Sequence, residues 1–378
     1  MNNGTGESVR IAGLTFELYG RLPMLDEFVC HSKKKSDGQI CCASAQLYNG
    51  SERAVSEHND VTVCIRNDGS WLFVSPRCRD SVQVSLSDDY RKICLYIADT
   101  ESIVLEQVLR SLLRMAIESA MVFNSRVSLH AACVSAGDEA VAFTGVSGMG
   151  KSTRASAWVE ANGAEFISGD RPTLGIGSDG VMAYGVPWDG KEQIYRNTEL
   201  PLKAILDVRR SDNTDYLRRL TPDQAQAVII KQVFIPMWDA VAAPYVIMNA
   251  RKLSKSVPVY RVFCGPDEES AKNIYDILVN NPQKILEAAE EMKIKEGFVL
   301  RKVADEYIVM PTGSNIAKFD GAIALNEVSA FIFEQLKNPV SKDDLVKALL
   351  AEYDVDAEIA ERDVDALVAK FDSMGIIE

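Results

Sequence analysis

Apolar and polar positions fall into distinct regimes along the chain. Up to about residue 100 they form short runs, such as Val61–Ile65, Trp71–Val74, 81–86 and Lys92–Ile97, broken by Asn, Asp, Gly and Ser. Short β-prone runs bounded by turn formers predict strands. Over residues 101–121 the period lengthens: Val104, Val108, Leu112 and Met115 stand at i, i+4, i+8 and i+11, one stripe of an amphipathic helix. Between about 120 and 280, extended segments (128–134, 140–144, 164–167) alternate with helix-compatible ones (152–162), the pattern of an α/β layer. Residues 266–294 read as two helices interrupted at Asn280-Asn281-Pro282, followed by a charged joint at 293–297. Beyond it lie three β-like segments, 298–302, 306–310 and 322–325, and then three helices. Asn326 can cap the first, whose stripe is Val328, Phe331, Ile332 and Leu336. Ser341 and Asp344 open the second like a capping box, with Leu345, Ala348 and Leu349 inward. Ala360, Val364, Leu367, Val368 and Phe371 stripe the third. The expected division is a β-rich part (1–115), an α/β domain (116–282), a helical linker (283–296) and a small C-terminal domain (297–378).

One run carries chemistry. Residues 141–153, Val-Ala-Phe-Thr-Gly-Val-Ser-Gly-Met-Gly-Lys-Ser-Thr, match G-x-x-x-x-G-K-[ST] from Gly145 to Ser152, between a predicted strand and a predicted helix. Gly145, Gly148 and Gly150 let backbone N–H groups converge on phosphate oxygens beside the helix N-terminus. The loop as a whole (Gly145, Ser147, Gly148, Met149, Gly150, Lys151, Ser152, Thr153) is therefore expected to hold a nucleoside triphosphate. Lys151 would reach the β- and γ-phosphates, and the Ser152 hydroxyl would ligate Mg²⁺. ATP is the expected nucleotide, with GTP left open because no base-reading motif is evident.

Charge and composition exclude other classes. A formal charge of −13 argues against nucleic-acid binding, which needs a basic face. From Glu296 onward 17 acidic residues stand against 8 basic ones, so the last domain is itself net −9. No apolar run is long enough to span a bilayer, and residues 1–7 lack a signal-peptide pattern. The eight cysteines form no C-x-x-C, and only His31, His58 and His130 are available as imidazole ligands, which argues against zinc. Reduced thiols in a cytoplasm are the simplest expectation, and no membrane association is expected.

Four further motifs occur in order around the loop: Ser128-Leu129-His130-Ala131-Ala132, Ser168-Gly169-Asp170-Arg171, Gly185-Val186-Pro187-Trp188-Asp189-Gly190-Lys191 and Val257-Pro258-Val259-Tyr260-Arg261-Val262. With the loop, they resemble the HPr kinase/phosphorylase superfamily, in its HPr-kinase-related branch, over roughly residues 120–280. The resemblance implies a P-loop kinase core in which His130 assists near the phosphates, while Asp170 shares in Mg²⁺ binding and orients a Ser or Thr hydroxyl. Lys191 would sit near the γ-phosphate. The family usually carries two adjacent Asp where this chain has Gly169-Asp170. Arg171 is a candidate charge partner for phosphate, and Trp188, if exposed on its loop, a candidate contact to substrate or nucleotide. The alternatives are a core histidine for His130, ordinary surface cations for Arg171 and Lys191, and burial for Trp188; Lys231 and Arg261 are left unplaced.

At the other end, Ala324-Leu325-Asn326-Glu327, Asp363-Val364 and Met374-Gly375-Ile376-Ile377 resemble the PqqD-like family over about residues 297–378. That resemblance implies a winged-helix-like domain, three strands with three helices, that recognises leader peptides of ribosomally made, modified peptides. In such domains the leader adds beside the third strand and lies against the third helix. On this chain the implied peptide-binding residues are Phe319, Ala322, Ile323 and Leu325, with Val364, Leu367, Val368 and Phe371. The expected activity is thus phosphorylation of a Ser/Thr hydroxyl in a precursor peptide recruited by its leader. The alternatives are a kinase of a small hydroxylated metabolite such as free serine, and a non-catalytic, nucleotide-gated peptide escort. Related kinases assemble, so a homo-oligomer is left open.

Overall fold

A computed structural model describes residues 6–32, 35–58, 60–98, 103–188, 194–211, 214–303, 306–316 and 322–378. The chain divides into two compact units, one of Met1–Arg210 with Asp215–Leu286, the other of Glu287–Glu378 with Ser211–Thr214.

The first unit begins with strands β1 (Glu7–Ile11), β2 (Leu14–Tyr19), β3 (Val29–Cys30), β4 (Gly38–Cys42), β5 (Arg53–His58), β6 (Val61–Ile65), β7 (Trp71–Val74), β8 (Val82–Leu86) and β9 (Lys92–Ile97). They form one nine-stranded sheet in the order β3-β1-β2-β4-β9-β8-β7-β6-β5. Helix α1 (Ile103–Met121) packs on β7, β8 and β9 and also touches the next sheet. That double contact explains why its buried face is wider than the predicted stripe. Leu112 and Met115 are inside as expected, but so are Leu109, Leu113, Ala116, Ile117 and Ala120.

The α/β part follows with β10 (Arg126–Ser128), β11 (Ala131–Ala136), β12 (Glu139–Thr144), α2 (Lys151–Asn162), β13 (Phe166–Ser168), β14 (Thr173–Gly177), β15 (Gly180–Tyr184), β16 (Glu199–Arg210), β17 (Tyr216–Arg219), α3 (Pro222–Gln232), α4 (Ala242–Ser256), β18 (Val259–Cys264) and α5 (Glu268–Tyr275). Its sheet runs β10-β14-β15-β16-β12-β11-β13, with β18 and β17 continuing from β16. β16 joins two regimes: it is antiparallel to β15 but parallel to β12 and β18. β12 is buried nearly throughout, as its unbroken apolar run requires of a strand covered on both faces.

One expectation fails here. No second helix follows Asn280-Asn281-Pro282; α5 instead ends in a wide turn (Asp276–Asn280) and one 3-10 turn (Pro282–Lys284). Residues 292–295 are extended: Met292 bridges Val340 and Ile294 bridges Ile377. Helix-favouring Ala and Glu lose to tertiary pairing because propensity is only a weak prior, and the apolar side chains Met292 and Ile294 already stand two apart. The stretch 283–296 is thus no helical linker, and from Glu287 it belongs to the second unit.

The second unit holds β19 (Phe298–Val303), β20 (Glu306–Pro311), β21 (Ile323–Leu325), α6 (Glu327–Gln335), α7 (Lys342–Glu352) and α8 (Ala357–Ser373), with sheet order β19-β20-β21. The caps act as the sequence suggests: Asn326 accepts from the Ser329 N–H at 2.8 Å and Ser341 from the Asp344 N–H at 3.2 Å. α8 ends on Gly375 at φ +67°, with Gly375 N–H on Asp372 O and Ile376 N–H on Phe371 O, the paired bonds of a Schellman stop. Its core is built on Val309, Ile332, Phe333, Leu336, Leu345, Val364 and Phe371.

Candidate functional site

The glycine-rich loop leaves β12 beside β16, where Thr144 is level with Asp207. Two of its glycines are required by shape. Gly145 has φ +138°, and a side chain there would meet Val208 O at 3.2 Å and Asp207 Oδ1 at 3.4 Å. Gly150 has φ +81°, and a Cβ would fall 2.5 Å from Arg154 Nη1. Side chains fix the loop's peptide planes from outside. Buried Arg154 donates to Met149 O (2.8 Å) and to Cys264 O (2.6 Å), tying the loop to β18. Arg210 donates to Gly148 O at 2.9 Å. The first-turn amides of α2 have no intrahelical acceptor, and Ser147, Gly148, Ser152 and Thr153 are exposed while Met149 and Gly150 are half-buried.

Lys151, Asp170 and His130 come together at this loop. Lys151 Nζ curls over it, 3.1 Å from Gly145 O. Burial pushes its ammonium below the ordinary lysine range, while the Asp170 charge opposes that. His130 sits between β10 and β11, its N–H on Gln232 O and its carbonyl accepting from Thr144 Oγ1. Its Nε2 is 3.8 Å from Asp170 Oδ1, beyond hydrogen-bond range. Burial lowers the His130 pKa, the charges of Lys151 and Arg171 add to this, and Asp170 opposes it. The imidazole is thereby kept neutral at pH 7.

The sign of that shift gives a pH expectation. A histidine whose folded pKa lies below 6.5 leaves the unfolded chain binding the proton first as pH falls. Stability should be unaffected by this group above pH 6.5 and decline below it. His130→Gln should flatten that decline in urea unfolding across pH 5–8; an unchanged slope would contradict the placement.

Asp170 follows β13, and Ser168 Oγ donates to its carbonyl at 2.6 Å. The next residue, Arg171, has φ +56°, a left-handed conformation costly to any residue with a Cβ. A residue held at that cost is a candidate for function, and the Arg171 charge is close enough to His130 to disfavour its protonated form. Arg171→Gly should therefore raise stability by up to about 1 kcal/mol while lowering nucleotide affinity. A loss of stability in thermal unfolding would show that Arg171 is held by contacts instead.

The donor chemistry suits a magnesium nucleotide. Two cations and a neutral imidazole surround one carboxylate, leaving the site net positive for a polyphosphate. Ser152 and Asp170 offer the hard oxygen donors that Mg²⁺ prefers. Among the described residues no cluster of three or more His, Cys, Asp or Glu could hold a metal unaided. Phosphate oxygens and water would have to complete the coordination.

Other sequence candidates separate clearly. Trp188 is buried in the core shared by α1 and the first sheet, so of its two readings packing is the one observed. Lys191 lies outside the described residues. Arg261 is buried and donates to Asp207 Oδ2 at 3.2 Å. Asp207, Arg154 and Arg210 were not singled out by sequence. The available signal for Asp207 was a lone carboxylate in the apolar run 202–208.

In the C-terminal unit, β21 is an edge of its sheet, paired with β20 through Tyr307↔Leu325 and Val309↔Ile323. Ala322 and Ala324 are exposed, whereas Ile323 and Leu325 point into the core. Val364, Leu367 and Phe371 are likewise core residues, not an open stripe, and Val368 is half-buried. A helix with one apolar face in so small a unit has to spend it on its own sheet and helices. Phe319 lies outside the described residues.

No helix among the described residues is long and apolar enough to cross a membrane. No curated protein matches the chain. Solved structures similar to parts of it include TbiB1 in complex with the TbiA(beta) leader peptide, at 23% identity and TM-score 0.20, covering 23% of this chain and 94% of the other. Another is the Hpr(Ser) kinase/phosphatase from Coxiella burnetii, at 10% identity and TM-score 0.25, covering 42% and 97%. Residues 306–377 match the family described as Coenzyme PQQ synthesis protein D (PqqD), so the chain carries a PqqD domain at its C-terminal end.

Proposed function

We propose that the chain is an ATP-dependent kinase acting on a Ser or Thr hydroxyl of a ribosomally made precursor peptide, which its PqqD domain holds by the leader. One observation carries this reading. A glycine loop with Lys151, His130 and Asp170 gathered at it stands in the same chain as a domain of the PqqD family. Bound Mg-ATP would supply the phosphoryl group and offset its charge. The loop amides and Lys151 would hold the phosphates in place, since phosphoryl transfer depends on positioning and charge neutralisation. Asp170, from the end of β13, would orient the acceptor hydroxyl and take its proton. Neutral His130 would donate to a phosphate oxygen through its ring N–H. The leader would extend the sheet at the free edge of β21, where main-chain bonding gives affinity.

One observation favours a second reading, a nucleotide-gated escort without turnover. At Gly169 a Cβ would lie 3.3 Å from Ile194 Cβ, and its N–H is engaged by Ile194 O at 2.8 Å. Gly169 thus leaves one carboxylate where the kinase resemblance implies two, and a side chain in its place would need residue 194 to give by a few tenths of an ångström. Full-length protein with Mg-ATP and the short peptide encoded beside its gene separates the two by intact-mass spectrometry. A phosphoryl mass gain on the peptide supports the kinase. Tight peptide binding with no gain leaves the escort.

A further inference from the structure

The nine-stranded sheet has a seam. Strands β1–β4 come from residues 7–42 and β5–β9 from residues 53–97, and the two groups join where β4 runs parallel to β9. The paired register spans Gln39↔Lys92 to Cys42↔Leu95. Within it Cys41 and Cys94 are directly opposed, half-buried, with their sulfurs 2.7 Å apart. Adjacent strands lie about 4.8 Å apart, inside the roughly 4.4–6.8 Å Cα separation that a disulfide spans. Cys42, the next residue, is exposed, and strand alternation turns it to the opposite face.

The geometry points to a reversible disulfide between Cys41 and Cys94, formed across this seam by exchange with a small-molecule disulfide such as oxidised glutathione. Cys94 is the first nucleophile. A thiolate there is favoured by the hydrogen bond shared with Cys41 and by Lys92, Arg66 and Ser85 close to its sulfur, against burial. Cys41 lacks the Arg66 and Ser85 contacts that favour a thiolate on Cys94, and it reacts second. The Cys94 thiolate attacks one sulfur of the external disulfide, forming a mixed disulfide and releasing one thiolate. Cys41 then gives its proton to solvent and attacks the Cys94 sulfur, expelling the second thiolate. The protein loses two electrons and two protons, and the external disulfide becomes two thiols.

The bridge would join residues 53 positions apart and fasten the first strand group to the meander. That first group supports the α/β part: Arg126 Nε donates to Ala12 O at 2.9 Å, and Asn197 Nδ2 to Glu27 O at 2.7 Å. Oxidation therefore stiffens the ground on which residues 194–199 rest.

Full-length wild-type protein, oxidised with glutathione disulfide or kept reduced with a phosphine, is alkylated and mapped by non-reducing peptide mass spectrometry. The expected product is one peptide pair linked through Cys41 and Cys94, lost on reduction, with a thermal midpoint raised by roughly 4–10 °C. Cys94→Ser should remove the link and Cys42→Ser should keep it. The wild-type map decides even where a variant folds poorly. Free, alkylated Cys41 and Cys94 after oxidation would overturn the inference. So would a Cys42–Cys94 link or a lasting glutathione adduct on Cys94.

Discussion

Lys151→Ala should lower phosphoryl transfer by about 10²–10³-fold, the usual loss when one preorganised charge at a transition state is removed. The fold should not suffer. Lys151 is half-buried and, among the described residues, its side chain makes one hydrogen bond, to the loop's own Gly145 carbonyl, so the thermal midpoint should stay within a degree or two of wild type. Lys151→Arg should not restore activity, because a planar fork does not replace a compact ammonium inside a glycine loop. The check is steady-state turnover alongside nucleotide binding by calorimetry. Turnover unchanged in Lys151→Ala would remove the glycine loop from the chemistry and with it the kinase reading.

Deleting residues 287–378 should raise the apparent KM for a full-length precursor by about 10²–10⁴-fold, the range that effective concentration supplies when one site tethers the substrate of another. Phosphorylation of a short, leaderless acceptor at saturation should hardly change. The separate cores of the two units make this truncation reasonable, since the second unit has its own apolar interior. Equal loss on both substrates would mean that the deletion damages the catalytic unit. No loss on either would leave the PqqD domain without a role in recruitment.

What the sequence revealed depended on how local the determining physics was. The glycine loop was legible because strand, turn and helix start are all written within twenty residues, and its strained glycines are the motif itself. The caps at Asn326 and Ser341 were legible for the same reason. Asp207 was not, because its meaning comes from lying level with Thr144 on a strand more than sixty residues away. Arg154 and Arg210 read as ordinary helix and strand-end cations, and only the fold brings their guanidinium groups to the loop carbonyls. The strain at Arg171 has no sequence signature at all. Stripes misled where a helix had more than one neighbour: Leu113 and Ile117 look peripheral by period yet are fully buried. Val364 and Phe371 look available for a ligand but are consumed by packing.

The extended stretch at 292–295 has a consequence for protein engineering. It runs antiparallel to residues 376–378, with Lys293 and Glu378 exchanging main-chain hydrogen bonds and Lys295 N–H on Ile376 O. Chain arriving in the PqqD unit and chain departing from it are thus side by side. A cassette whose two ends meet can be spliced into a surface loop of an unrelated enzyme without prying the host apart. Grafted that way, it would carry whatever peptide recognition the proposed function assigns to it into the new host, provided residues 292–295 travel with it.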